Sequence, residues 1–512
     1  MEAAHQSQSY VWRRIFSRLA PALSVTLALA TGLALRLWLL KQFFEVNGDS
    51  LIYGGLAKNL LLHGRYALTG GGGEMVPTLI RLPGYPLFLA LCFRLFGMEN
   101  YVSAAWVQIV LDLAGCLLLA DFARYSAPPA LRNGAAHGTL WLAALCPFTA
   151  VYAANPLTEA PTLFALALAL WSAARFRARP GWWPALWFTF AVTFAALLRP
   201  DGALAAVVLA PALLFGLWRT NTGCPTPAPC PILARFSWRK GGIPQSSNSG
   251  CPTLATPKLM RMAVVCTLLA LAPFAAWSWR NWQVFHVFEP LAPRYATDPG
   301  EETNPGWQRW MKTWCLDYVS TYDIYWNVPG STLDVSKLPA RAFDSLAQYN
   351  ETAALAADYN LSQELTPQFD ARFGKLADER IAAHPLRSTL WLPLGRVADM
   401  WLRPRVENLP IDLDWWVYEH HNDETSFSWA YAALNMFYLL LALAGLCLRP
   451  RFWLPMLAYF LLRSAMLMTV EAPEARYTLE CFPMLFALGG VALYGVFRKM
   501  MTFWARCRAA AP

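Results

Sequence analysis

The sequence predicts an all-α polytopic membrane protein with about ten transmembrane helices. Three observations carry this. Of the 512 residues, 56% are hydrophobic and only 15% are charged, whereas charged residues make up about a quarter of an ordinary soluble domain. Apolar runs of about 20 residues, the length a helix needs to cross hydrocarbon, recur along the chain. The basic residues gather in alternate short loops, the asymmetry that keeps positive loops in the cytoplasm. The 24 Trp agree, because Trp favours membrane interfaces. A net charge of +9 would suggest nucleic acid in a soluble chain. Here no basic tract is interleaved with exposed aromatics, so nucleic acid is not expected as a partner.

The first span is predicted over 19–41. Arg13, Arg14 and Arg18 precede it. Its apolar run exceeds the roughly 7–15 residues of a cleaved signal, so it is expected to stay, with the N-terminus in the cytoplasm. The outside segment 42–101 follows. Asp49 opens a stretch with Ile52, Leu56 and Leu60 on one helical stripe and Gly64 at its end. At about 15 residues it is short for a span, and a helix lying along the interface over 49–63 is expected. The segment "RLPGYPLFLALCFRLFG" over 81–97 is apolar but holds two early prolines and Arg94. If it crossed, every later loop would change side and the charge asymmetry would invert, so it too reads as a surface helix.

Spans follow at 102–123, 136–153, 157–175, 182–199, 201–219 and 262–282. The loops assigned inside carry Arg124 and Arg132, then Arg175, Arg177 and Arg179, then Arg219, Arg235, Arg239, Lys240 and Lys258. Loop 220–260 is rich in Pro, Gly and Ser, and disorder is expected. Segment 283–427 is a second long outside loop. Its Trp and Leu content and amphipathic patches such as "ARFGKLADERIAAH" predict that it is mostly ordered. The last spans, 428–448, 452–470 and 477–497, are flanked inside by Arg449, Arg451, Arg498, Lys499, Arg506 and Arg508. The predicted organisation is a transmembrane module over 1–282, the large outside loop over 283–427 and C-terminal helices over 428–512. Both termini are placed in the cytoplasm of a multi-pass inner-membrane protein. No internal repeat is present.

Some residues point away from special chemistry. Cys92, Cys116, Cys146, Cys266 and Cys447 lie in apolar segments and read as small core residues. Cys224, Cys230 and Cys251 lie in the inside loop, where disulfides are rare, and no Cys pair has zinc spacing with His. His420 and His421 in "WWVYEHHND" are adjacent, so on a helix they would diverge by about 100° and chelate poorly. The Trp pair reads as an interfacial anchor.

The remaining candidates are Asp49, Arg81, Glu159, Arg280, Arg476 and Tyr477, each at the outer end of an apolar segment. Asp49 also suits an N-cap. Arg81 also suits a side chain reaching from hydrocarbon to water. Glu159 also suits a salt bridge or an acid favoured by a helix N-terminus.

The stretches "GDSLIYGGLAKNLLLHGRYAL" (48–68) and "RLPGYPLFLALCFRLFG" (81–97) resemble the first outer loop of the GT-C superfamily of integral-membrane glycosyltransferases. Within it they resemble the bacterial glycosyltransferase family 39 relatives, akin to protein O-mannosyltransferases and the lipid A aminoarabinose transferase. "NPLTEAPTLFALALAL" (155–170), "LLRPDGALAAVV" (197–208), "WSWRNWQVF" (277–285) and "EARYTLECFPMLFALGG" (474–490) extend the likeness. It omits loop 220–260 and much of 283–427. Many relatives carry two adjacent acids where this chain has Asp49 and Ser50, and close relatives often have Asp where it has Glu159.

The resemblance implies the GT-C fold and an extracytoplasmic active site. The donor would be a sugar on polyprenyl phosphate, and the acceptor a lipid, glycan or protein hydroxyl. Asp49 would be the base of an inverting transfer, with Glu159 a second catalytic acid. Arg81, Arg280, Arg476 and Tyr477 would hold the donor phosphate. A divalent metal between Asp49 and Glu159 is an option. The competing reading is a transporter or lipid flippase, but the matched halves of transporters are not seen.

Overall fold

The computed structural model describes residues 2–221, 257–412, 415–416 and 422–509. The chain is helical nearly throughout. The N-terminal part comprises α1 (Glu2–Phe43), α2 (Gly48–His63), a small hairpin of β1 (Ala67–Thr69) and β2 (Met75–Pro77), and α3 (Gly84–Phe96). Helices α4 (Tyr101–Ser126), α5 (Arg132–Ala144), α6 (Pro147–Ala154), α7 (Glu159–Ala178), α8 (Trp182–Leu198), α9 (Leu204–Asn221) and α10 (Pro257–Phe285) follow. The long segment contributes α11 (Pro305–Lys312), α12 (Leu346–Tyr359), α13 (Pro367–Ala383) and α14 (Leu392–Leu402). The chain ends in α15 (Asn422–Cys447), α16 (Trp453–Leu467) and α17 (Phe482–Ala509).

A helix or a bent pair of helices stands at each of the ten predicted intervals. Among the described residues, five helices are long and apolar enough to cross a membrane. A sixth qualifies if Pro129–Ala144 and Pro147–Ala154, bent by 52°, form one span. The bend follows from Pro147. A residue before proline avoids the helical region, and Cys146 is extended, with φ −69° and ψ 111°. The lipid-like environment is legible on α10, where Met260, Val264, Leu268 and Leu271 are 54–64% exposed. A helix so apolar and so little covered belongs in hydrocarbon. Inside the bundle, Arg36 Nε donates to Asp112 at 2.6 Å, and its Nη1 donates to the carbonyls of Gly32 and Ala144. Each ion is the other's partner, which is how buried charge is tolerated between helices. Of the apolar-segment cysteines, Cys92, Cys116 and Cys146 are buried as expected, whereas Cys447 is exposed.

Helices form in both segments expected to lie along the surface, as α2 and α3. Gly64 ends α2 in the left-handed region, φ 65°, with its N–H bound to Leu60 O. The buried face differs from the predicted stripe. Tyr53, Ala57 and Leu56 are covered, while Ile52 and Leu60 are only partly so. The cause is α3, whose Tyr85 and Leu89 pack on Tyr53 and Ala57. Gly54 is required there, because a Cβ would lie 1.7 Å from the Tyr101 hydroxyl oxygen.

Segment 283–427 is ordered over most of its described length and has its own apolar cluster. Trp307, Trp310 and Trp314 are buried, and Phe373 of α13 meets the first two rings at 4.9 and 5.0 Å. Phe373, Leu376, Ala377 and Arg380 form the buried face of α13, the helix that contains most of "ARFGKLADERIAAH". Arg380 donates to Thr313, Gln348 and the Arg341 carbonyl. Trp415 packs on Trp429 of α15, which starts at Asn422, six residues ahead of the predicted span. Disorder is expected over 220–260, but 220–221 and 257–260 are helical, and the rest of that loop is 222–256, with Cys224, Cys230 and Cys251. These and His420 and His421 lie outside the described residues.

Candidate active site

Seven short segments converge on one cavity of about 620 Å³. They are the start of α2, the strand exit at 80–82, residues 157–159 at the start of α7, the turn Pro200–Ala203 with Arg199 before it and the first turn of α9, the loop 292–296, residues 466–471 at the end of α16, and the turn Ala475–Cys481 ahead of α17. Local hydrogen bonds bring them together. Ser50 Oγ donates to Pro156 O at 3.0 Å, tying α2 to the turn before Glu159. Arg463 donates twice to Tyr477 O, at 3.0 and 2.7 Å, and Arg405 donates to Ala475 O at 2.7 Å. These two arginines fix the turn that carries Arg476.

Asp49 is not the cap of α2. Asn47 holds that position without a side-chain bond. Asp49 stands in the first turn, so its carboxylate is free to face the cavity. It accepts from Arg81 Nη2 at 2.7 Å and lies 3.5 Å from Arg476 Nη1. Its side chain is 28% exposed. Burial raises its pKa, but Arg476 and then Arg81 outweigh that and hold it below the usual 3.8.

Glu159 opens α7 and realises both of its simpler roles. It is a first-turn acid, and it pairs with Arg199 at 3.0 Å and Arg476 at 3.8 Å. Arg476 also meets Glu474 at 2.5 Å, and the Tyr477 hydroxyl donates to Glu474. From Arg199 the chain of charges continues to Asp201 at 3.5 Å and Glu480 at 3.0 Å. Arg463 closes it on Asp201 and on Glu480, the latter at 2.9 Å. The network thus alternates in sign. Its arginines are Arg81, Arg199, Arg463 and Arg476, and its carboxylates are Asp49, Glu159, Asp201, Glu474 and Glu480. Groups too costly to bury singly are sustained by one another.

Asp49, Arg81, Glu159, Arg476 and Tyr477 therefore line one cavity. Arg280 does not line it. Its guanidinium donates to Tyr66 O at 2.6 Å and Thr78 O at 2.8 Å, on either side of the hairpin. Tyr66 in turn donates its hydroxyl to Arg81 O at 3.0 Å. Arg280 is a clamp on the loop that presents Arg81, because the hairpin carries the chain between them.

Four cavity or network residues escape the sequence reading although their segments do not. Arg199, Asp201, Glu474 and Glu480 lie in "LLRPDGALAAVV" and "EARYTLECFPMLFALGG". Arg463 had a signal of its own, an arginine inside the apolar run "FLLRSAML". The metal option fits poorly. Among the described residues no three His, Cys, Asp or Glu are grouped to hold an ion. Asp49 and Glu159 already accept from guanidinium groups, and a cation there would meet Arg476 between them.

No family model matches the chain, and no curated protein matches it. Among solved structures it is similar to the oligosaccharyltransferase AglB from Archaeoglobus fulgidus, in complex with an inhibitory peptide and a dolichol-phosphate. That likeness has 12% identity and a TM-score of 0.49, over 97% of this chain. The chain spans about half of AglB's length, 52%. It is also similar to ArnT from Cupriavidus metallidurans bound to undecaprenyl phosphate, with 14% identity and a TM-score of 0.37, over 91% of this chain and 77% of that one. Both are membrane glycosyltransferases of the GT-C superfamily, the superfamily that the sequence resembles.

Proposed function

We propose that this chain is a membrane glycosyltransferase. It moves a sugar from a polyprenyl-phosphate donor to a hydroxyl of a lipid, glycan or protein, at the extracytoplasmic face of the inner membrane. The observation that carries the reading is Asp49. It is a carboxylate kept ionised by two arginines and open to a cavity that is also lined by apolar side chains such as Leu204, Val207 and Met466.

The chemistry needs little from the leaving group, because a lipid phosphate departs readily. The acceptor oxygen attacks the anomeric carbon from the face opposite the phosphate. Its proton passes to Asp49, the bond from carbon to phosphate oxygen breaks, and the electron pair leaves with polyprenyl phosphate. The configuration inverts. An aspartate with a lowered pKa is a weak base, and the same arginines supply the remedy. When donor phosphate draws Arg81 and Arg476 towards itself, Asp49 loses their field and its basicity rises. Glu159 keeps Arg199 and Arg476 oriented and is a positioning residue in this scheme.

The test compares envelope lipids and glycans by mass spectrometry in cells with and without the gene, and with Asp49→Asn. The reading expects one glycosylated product to disappear in both altered strains while its lipid-linked donor accumulates. Identical envelope chemistry in all three strains overturns it.

A further inference from the structure

A phosphate entering the cavity meets an inner network that already has one more carboxylate than arginine. Positive charge in excess of its paired carboxylate lies elsewhere, at the rim. Arg294 Nη2 and Lys312 Nζ both approach the same oxygen of Glu471, Oε1, at 2.8 and 2.7 Å. Asp298, on the same segment as Arg294, is turned away, accepting from the backbone N–H of Leu79 at 2.7 Å. Two cations thus share one carboxylate oxygen. Arg294 and Glu471 both line the cavity that holds Asp49. Arg294 is 57% exposed and Glu471 only 12%.

We infer that Arg294 and Lys312 are a receiving site for the phosphate of the donor lipid, and that Glu471 stands in for that phosphate while the cavity is empty. This rests on the transferase reading and adds to it the residues that balance the ligand's charge. Two cationic donors converging on one acidic oxygen are arranged as they would be around a phosphate oxygen. The demand for them grows along the reaction, since the phosphate gains a negative charge when its bond to the sugar breaks. Each inner arginine is matched by at least one carboxylate, whereas at the rim two cations share one, so displacing Glu471 alone frees both for the phosphate.

The experiment measures binding of undecaprenyl phosphate, undecaprenol and inorganic phosphate to the full chain in nanodiscs. Arg294→Ala and Lys312→Ala are each expected to weaken undecaprenyl phosphate about tenfold, the scale of one charge-assisted contact. Arg294→Lys retains the charge and should lose only a fewfold, which controls for misfolding. Glu471→Gln keeps the shape and removes the competing charge, so it should tighten undecaprenyl phosphate by several-fold. Undecaprenol affinity should not move. Lipid phosphate binding that ignores the rim variants, or that weakens in Glu471→Gln, overturns this inference and leaves the transferase reading standing. No binding of undecaprenyl phosphate by the unsubstituted chain overturns both. Inorganic phosphate binding as tightly as the lipid overturns the lipid headgroup as its source.

Discussion

Replacing Asp49 by Asn separates chemistry from binding, because the structure gives the two opposite signs. The amide keeps the size of the carboxylate and loses its charge. If Asp49 is the base, turnover falls by about 10²–10⁴, the usual contribution of a positioned general base. Donor binding should respond the other way. A hydrogen bond to a charged group contributes about 1.5–3 kcal/mol. Arg81 and Asp49 meet at 2.7 Å, with side chains 22% and 28% exposed. Solvent screening brings such a pair towards the lower end, about 1–2 kcal/mol. Arg81 and Arg476, released from that pairing, are then free for phosphate, and affinity for undecaprenyl phosphate should rise by up to about tenfold. The assay is single-turnover transfer in nanodiscs beside equilibrium binding. Turnover within about tenfold of the unsubstituted chain would refute the base. Loss of turnover together with an equal loss of binding would mean that Asp49 only holds the arginines.

The remaining predictions use other parts of the site. Asp49 has a folded pKa below its unfolded value, so the stability it contributes is present above about pH 4 and is lost as pH falls through the folded pKa. The acid limb of kcat/KM due to Asp49 should therefore lie below about pH 4, whereas that of kcat should lie higher, because bound phosphate shares the arginines; identical limbs would count against that sharing. Arg280→Ala should lower the thermal midpoint and weaken donor binding with little change in kcat, since it removes two bonds to the hairpin and touches no cavity group. Gly54→Ala should destabilise by about 1–3 kcal/mol, read from thermal unfolding in detergent, as Tyr101 is displaced from α2. Single cysteines placed near Gly72 and Asn350 should react with an impermeant reagent outside intact cells and one at Gln245 should not; labelling at Gln245 would invert the topology.

How far the site was legible in sequence depends on the kind of signal each residue carries. Asp49, Arg81, Glu159 and Arg476 are charges at the ends of apolar segments, and the loop asymmetry places those ends on one side. That is enough to predict a common neighbourhood, and the structure brings all four to one cavity. Arg280 satisfies the same criterion and fails, because position along the membrane normal says nothing about which way a side chain turns. Its direction was decided by two carbonyls of a hairpin that the sequence pattern did not reveal. The stripe on α2 shows the same limit. Periodicity identified the helix and its end at Gly64, but the buried face was set by α3, which no local pattern encodes. Arg463 is different, since an arginine inside an apolar run was visible and only its partners, Asp201 and Glu480, were not.

The alternating network also explains why the carboxylates outnumber the arginines around a site meant for an anion. An empty cavity with bare guanidinium groups beside hydrocarbon would be costly, because each unpaired charge loses its water. Pairing each arginine removes that cost and keeps the guanidinium groups in place for a ligand. The consequence is that donor binding is an exchange of partners rather than a capture by free charge. Asp49 is the carboxylate released from pairing inside the cavity, and Glu471 is its counterpart at the rim. Affinity is then modest for any phosphate that cannot also bury a chain against Leu204, Val207 and Met466. A short-chain lipid phosphate should therefore bind more weakly than undecaprenyl phosphate by far more than its lost contact with Arg294 or Arg81 would explain, at about 0.8 kcal/mol for each buried methylene it lacks. Equal affinity for the two chain lengths would show that the cations alone hold the ligand, and would remove the reason for keeping them paired.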